Sequence, residues 1–436
     1  MTISDNIDTQ SGLLFEAPST TSYRAAATAG RGVASDVASK IELTVHSEFD
    51  DVSAVWRTFE ETADCTAFQT FVWHATWQRH VGSISGVLPA IVVGREEGRV
   101  LFIAPLAVER GLATRRLVWH AWQLCDYNAP LLAPGFAERV PDERFAALWQ
   151  DVLRLLKRDP RFAHDVVMLH KMPGAVAGLR NPFTSLPVTP HASSAYAMAL
   201  GTDWEIFYKE KRSSSTRRHA RAKLKNLGEI GSVEFATAGV PGDVTAVLEA
   251  LFHQKAASFA RMGVVNFLLR SGYQDFYRAV ASAPENRSLV HVSQLLVGEA
   301  TSAANLGMVF RGRYYHVLAS HGGGPAIERF GPGTAHLHML IAYAIERGCH
   351  TFDFTIGDES YKREWCEQHT ALWDLCHPAS ARGTIMFAAL FAGMNVKRFI
   401  KHSEPLWNFY KRARRALASV RGAGRAVQSE APSDDG

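Results

Sequence analysis

Residues 329–365 read RFGPGTAHLHMLIAYAIERGCHTFDFTIGDESYKREW, and they pass from turn to helix to strand to a polar elbow. Pro332 and Gly333 open the helix, and Gly348 closes it just after Glu346 and Arg347. A proline in the first turn and a glycine beyond the last follow from the backbone chemistry of each. From His350 to Gly357 the pattern alternates as a strand, with Phe352 and Phe354 on one face and Asp353 on the other. A helix entered through Gly-Pro-Gly presents free N–H groups that can hold a phosphate. Asp358, Glu359, Tyr361, Lys362 and Arg363 come directly after the strand, where an α/β sheet keeps its chemistry.

Working backwards, 313–321 (RYYHVLASH) reads as a strand, and 288–298 with 300–310 as a hairpin turning at Gly298-Glu299. Before these come a strand at 232–238 and helices at 243–261 and 273–283. The first half repeats this order: strand 41–46, helix 50–62, hairpin 87–110 turning at Glu97-Gly98, a strand region from 115, helix 145–157, strand 165–171. An internal repeat of this kind predicts an α/β (α+β) fold of two tandem units, each a mostly antiparallel mixed sheet flanked by helices. The Pro/Gly/Ser-rich residues 172–193 form the expected crossing. The predicted boundaries are a tail at 1–40, units at 41–190 and 191–380, and a basic segment at 381–436. Phe68 to His80 is aromatic at helical period and reads as core.

The run F-G-P-G-T, a helix, then F-D-F-x-x-G-D-x-x-Y-K-x-x-W resembles the GNAT-type acyltransferases of the BioF2-like/CelD-like group of exopolysaccharide and cellulose clusters. These are related to the Fem-type aminoacyltransferases, which carry two GNAT folds in one chain. The resemblance extends over roughly residues 41–380. The usual phosphate loop of the superfamily is reduced here to Arg329-Phe-Gly-Pro-Gly333. The resemblance implies an acyl-CoA donor, acetyl-CoA included, between strands 313–321 and 350–357, its diphosphate near Arg329, Gly331, Gly333 and Thr334. It implies direct attack by an amine or hydroxyl on the thioester, with a saccharide or lipid-linked envelope precursor as acceptor. Asp353 or Asp358 is then the candidate base, Lys362 the charge for the oxyanion or acceptor, and Tyr361 the acid for the thiolate. Asp353 is equally readable as an internal strap. Asp126, Tyr127 and Asn266 are candidate acceptor-binding residues, Asp126-Tyr127-Asn128 being equally readable as a turn.

In the first unit the helix is entered through Val140-Pro-Asp-Glu143. Carboxylates at that positive end repel a phosphate, so the first unit is expected to be degenerate as a donor site. Lys209 to Lys225 carries eight Lys/Arg against Glu210. It reads as a solvated helix, as a partner for donor phosphates, or as a contact for aminoacyl-tRNA in a Fem-like reaction. Without interleaved aromatics it is a poor stacking surface for other nucleic acid. Lys397 to Arg425 carries nine Lys/Arg with Trp407, Phe409 and Tyr410 among them, the composition of a helix on an anionic membrane face. The apolar run 385–394 is too short to span a bilayer.

Length and a 47% hydrophobic composition suit a globular protein with two proper cores, and a net charge of +4 selects no partner. Five cysteines without a C-x-x-C pair, and no secretory signal, point to the cytoplasm, at the inner membrane face if the basic tail binds lipid. No metal is expected, since His336 and His338 fall on different helix faces. An idle GNAT scaffold serving polysaccharide assembly is the non-enzymatic alternative.

Overall fold

The computed structural model describes residues 40–111, 114–366 and 369–388. The expected tail over 1–39 and the basic stretch 397–425 lie outside the described residues. The described residues up to Cys376 form one compact unit, and those from His377 belong to a second.

In the first half the elements are β1 (Glu42–His46), α1 (Ser53–Glu60), α2 (Phe71–Trp77), β2 (Leu88–Glu96), β3 (Arg99–Arg110) and β4 (Arg115–Trp119). Then follow β5 (Leu131–Leu132), α3 (Phe136–Arg139), α4 (Asp142–Arg158) and β6 (Val166–Pro173). The crossing holds a two-stranded ribbon, β7 (Ala175–Val176) and β8 (Leu179–Arg180), and then β9 (Thr189–Pro190). The second half starts with β10 (Ala195–Ala199), α5 (Trp204–Lys211), α6 (Ser214–Ile230), β11 (Val233–Thr237), α7 (Pro241–Met262) and α8 (Tyr273–Ser282). It continues through β12 (Val290–Val297), β13 (Ala300–Phe310), β14 (Arg313–His321), α9 (Pro325–Glu328), α10 (Pro332–Glu346), β15 (Thr351–Ile356), α11 (Ser360–Arg363), β16 (His369–Thr370) and β17 (Leu372–Pro378).

Two sheets result. The first has the order β1-β2-β3-β4-β6-β17-β9 with β5 on β3, and the second β11-β12-β13-β14-β15-β10-β16. Each contains a parallel pair, β4 with β6 in the first and β14 with β15 in the second. The sheets exchange strands reciprocally. After β6 the chain crosses and lays β10 beside β15; after β15 it crosses back and lays β17 beside β6. The strand at 372–378, assigned by sequence to the second unit, therefore belongs to the first sheet.

The hydrophobic core crosses the same boundary. Trp73, Val118 and Tyr127 from the first half are clustered with Val244, Phe276 and Leu306 from the second, and Trp73 meets Phe276 edge-to-face at 4.8 Å. The aromatic stretch is core, as read, but not one helix. Thr70 is extended (ψ 145°), so a short 3-10 turn over Ala67–Gln69 precedes α2. The basic stretch is likewise two helices, broken at Arg212 and restarted where Ser213 accepts the Thr216 N–H.

Candidate active site

β14 and β15 pair in parallel over only three positions, ending at Tyr315 and Asp353. Beyond that they separate. Two irregularities drive the separation. In β14 the register against β13 slips so that Val317 has no partner between His316 and Leu318. In β15, Thr355 sits at φ +59°, and Phe354 is the extra residue between the pairs Tyr196–Thr355 and Ala197–Asp353. Bulges of this kind re-aim side chains beside sites. A β-branched residue at positive φ costs about 1–3 kcal/mol and marks a segment held by its surroundings.

The gap opens onto a cleft of about 430 Å³. His316 to Ala319 line one wall and Phe354 to Gly357 the other. Lys255, Phe259, Val264, Val265, Phe267 and Arg270 come from α7 and the loop after it, Gln123, Asp126 and Lys171 from the first half, and His191 and Ser193 from the crossing. Tyr361, Lys362 and Glu359 close the end beyond β15.

Its electrostatics are those of a partly desolvated pocket. Burial pushes the Asp126 carboxyl upward, against the pull of the Lys171 ammonium and the Thr355 hydroxyl. Burial pushes Lys171 and Lys255 downward, and Lys171 Nζ donates to the carbonyls of Trp122 and Cys125 at 3.0 Å each. His316 is pushed down to about 3 by burial, so its imidazole is neutral at neutral pH. Burial also raises the Tyr361 phenol, which keeps its proton. Lys362 is held in place, donating to the Ile356 carbonyl at 2.8 Å and pairing with Glu359 at 3.0 Å.

Asp353 does not face this cleft, contrary to the simple alternation. It is fully buried. Its Oδ1 accepts from the Tyr127 hydroxyl and the Thr355 N–H, each at 2.8 Å, and its Oδ2 pairs with Arg313 at 2.8 Å. Alternation fails because the sheet's other face is covered by the first half, which inserts Tyr127. The Tyr127–Asp353 bond thus ties the halves together. Asp358 is exposed and accepts from Tyr196 at 3.2 Å. Asn266 Oδ1 caps the short turn that follows it, through the Leu268 N–H at 3.0 Å, while its neighbours line the cleft. Of the residues expected from sequence, the cleft wall gathers Asp126, Tyr361 and Lys362.

Arg329, Gly331, Gly333 and Thr334 come together at the start of α10. Gly331 takes φ +65°, ψ +58° there, the left-handed region that suits glycine. No carboxylate lies in the first turn. Lys223 of α6 approaches, its Nζ 3.9 Å from where a Cβ on Gly331 would stand, and the Arg329 guanidinium stacks on Phe330 at 4.6 Å. Arg218, Arg221, Lys223 and Lys225 are exposed on α6.

The equivalent opening in the first half is filled. β4 and β6 also pair over three positions, ending at Val118 and Met168. There Asn128 bonds across to β6: its N–H donates to the Lys171 carbonyl and its side-chain amide to the His170 carbonyl, both at 3.0 Å. Asp142 and Glu143 occupy the first turn of α4, Asp142 pairing with Arg180 at 2.6 Å.

Sequence reading missed His170, His191 and Asp374, which converge beside the cleft. His191 Nδ1 lies 2.9 Å from both carboxylate oxygens of Asp374, and His170 Nδ1 lies 3.2 Å from Oδ2. The Lys171 N–H reaches Oδ1 at 3.0 Å. Burial alone would raise Asp374, but the bonds from His170 and His191 outweigh it and hold the carboxyl well below the usual range. Nothing local signals this cluster, because its members come from β6, the crossing and β17.

Residues 214–363 match the family of acetyltransferase (GNAT) domains, so this stretch, from α6 to α11, carries a GNAT-type acetyltransferase domain. No curated protein sequence matches the chain significantly. Among solved structures, FemX is similar at 10% identity and a TM-score of 0.51, over 76% of this chain and 96% of FemX. A tandem GNAT protein from the clavulanic acid biosynthesis pathway matches at 12% identity and 0.43, over 78% of this chain and 99% of that one. The structure of L-PGS from Bacillus licheniformis matches at 12% identity and 0.45, over 78% and 96%. The FemX match supports the tandem fold; the two weaker ones add nothing to it. Among the described residues, no helix is long and apolar enough to cross a membrane.

Proposed function

We propose that the protein transfers an acyl group from acyl-CoA to an amino or hydroxyl group of a saccharide or envelope precursor, and that the second half binds the donor. The observation that carries this is the opened β14–β15 pair, which joins a partly desolvated cleft to a helix start free of carboxylates. The donor diphosphate meets the N–H groups around Gly333 and Thr334, with Lys223 and Arg329 adding positive charge. The thioester runs down the gap to the bulge at Val317, where backbone N–H groups receive the carbonyl oxygen as it gains charge. The acceptor enters from the side of Asp126, whose carboxylate holds it, while Lys362 supplies fixed positive charge and Tyr361 a proton for the departing thiolate. Asp353 positions the wall rather than taking the acceptor's proton. The acceptor class rests on the sequence resemblance, and the cytoplasmic setting on the cysteine pattern.

A thermal-shift titration with CoA and acetyl-CoA tests donor binding, since a ligand of the folded state raises the melting temperature. Thiol release from acetyl-CoA against amino sugars and envelope precursors tests transfer. Absence of CoA protection sinks the reading. The exposed cations of α6 beside the α10 start favour one further reading, a Fem-like donor of aminoacyl-tRNA. Protection by charged tRNA without protection by CoA would select it.

A further inference from the structure

The acyl-transfer reading leaves the acceptor's proton unassigned, because Asp353 is bonded at both oxygens and shut off from the cleft. We infer that Asp374, His170 and His191 form a fixed acid–base unit in which His191, oriented by Asp374, takes that proton. The inference rests on the acyl-transfer reading for its substrate, and on independent geometry for the unit itself.

Asp374 is buried at the point where β17 returns to the first sheet. Three nitrogens converge on it, the Nδ1 atoms of His191 and His170 and the backbone N–H of Lys171. A carboxylate so bonded is an acceptor only, so the hydrogen of His191 is placed on Nδ1. Nε2 then carries the lone pair, and His191 lines the cleft with Asp126, Lys171 and Ser193. This is the division of labour of an oriented base: one ring nitrogen bonded to a carboxylate, the other directed at substrate. His191 Nδ1 stands equally far from the two carboxylate oxygens. That is the position for a shared hydrogen; the same three residues also lie close enough together to hold a cation, and the zinc titration below separates the two. The titratable and charged groups around His191 are Asp374 of β17 and His170 of β6, together with Lys171, Asp126, Lys255, Glu359 and Lys362 in the lining of the same cleft.

In the step, the acceptor's N–H or O–H bond breaks and its proton passes to His191 Nε2. The new bond to the acyl carbon forms and the C–S bond breaks. The proton returns from His191 to the thiolate, through water or through Tyr361, and the imidazole ends neutral. Acyl-CoA and acceptor become acylated acceptor and CoA, with no further reactant. Because strand exchange supplies both Asp374 and His191 to this wall, the unit forms only in the assembled two-sheet fold.

Two measurements on the full chain test it. Nitrogen-15 NMR of labelled protein reads the tautomer directly: His191 should show a protonated Nδ1 and a bare Nε2, and Asp374→Asn should scramble this. Thiol release from acetyl-CoA with glucosamine as probe acceptor reads the role. His191→Gln should lower kcat by about 10²–10⁴-fold with acetyl-CoA KM and CoA protection unchanged. Added imidazole should restore part of the activity of His191→Ala. A His191 protonated at Nε2 overturns the unit, as does a zinc titration that raises the melting temperature of wild type but not of Asp374→Asn. Unchanged turnover in His191→Gln assigns the proton elsewhere, with Asp126→Asn the next variant. If the wild type releases no thiol while the tautomer is as stated, acyl transfer falls, and the base role with it, but the dyad stands.

Discussion

The two halves start from the same plan and end with opposite fates at the same place. In each, a parallel pair of strands holds for three positions and then separates. In the first half the chain needs 22 residues to get from the end of β4 to the start of α4, and it uses them to plug its own gap with Asn128. In the second half only ten residues separate β14 from α10, too few to fold back over the opening, and the gap remains as the cleft. The helix ends reinforce the contrast, with Asp142 and Glu143 at one and Gly331-Pro-Gly333 at the other. A fold repeated in one chain can thus leave one copy open and turn the other into a wall of its cleft, a wall to which the first half contributes Asp126 and Lys171 and the crossing His191.

The sharpest break of this contrast is at the helix starts. Gly333→Glu places a carboxylate where the diphosphate would lie. Two like charges about 4 Å apart near a protein surface cost ~4 kcal/mol, on the order of a thousandfold in Kd. Calorimetric titration with CoA should show that loss, and Asp142→Gly should leave CoA affinity unchanged. Equal losses would mean that the halves do not differ as argued.

Next in size is the strap between the halves. Arg313→Ala leaves the buried Asp353 carboxylate without its countercharge, a defect that typically costs ~3–5 kcal/mol. The Arg313 side chain is itself 37% exposed, so water offsets part and the low end is expected. Tyr127→Phe, removing one bond to the same carboxylate, should cost about 1–3 kcal/mol. Urea midpoints measure both, and an Arg313→Ala protein as stable as wild type would show that the halves do not depend on this bond.

Asp374→Asn sharpens the comparison through pH. The folded carboxyl is held below its ordinary value, near 3.9 in an unfolded chain. Such a group adds stability that is present above the unfolded value and lost as pH falls toward the folded one. The variant should therefore be less stable than wild type at pH 7, by about 1–3 kcal/mol. The difference should shrink below about pH 4. Parallel urea midpoints at pH 3 and pH 7 would remove Asp374 from the acid response.

The smallest effect is at the plug. Asn128→Ala orphans the His170 carbonyl and should cost about 1 kcal/mol without creating CoA binding in the first half, because the α4 carboxylates remain. A second CoA equivalent in this variant would show that the plug alone separates the two halves.

Much of this was legible in order along the chain. The strand 313–321 and the hairpin turn at Glu97-Gly98 appear where periodicity and turn chemistry put them. So does the contrast between the two helix starts, because capping residues act within one turn. What failed were inferences that assumed a regular element or a free face. Phe68 to His80 has helical spacing but is bent at Thr70, where Glu60 accepts the Phe71 N–H at 2.7 Å. Alternation put Asp353 in the cleft and the residue is buried instead, since alternation names a face without saying what covers it.

Local chemistry therefore determined the elements, their repeat and the helix end suited to an anion, all of which depend on neighbours within a few residues. The exchange of β10 and β17, the pairing of Tyr127 with Asp353 across 226 positions and the meeting of His170, His191 and Asp374 were decided by the tertiary structure. The physical reason is that these contacts form only when two half-buried sheets cover one another, and the energy of that burial is shared across the whole core.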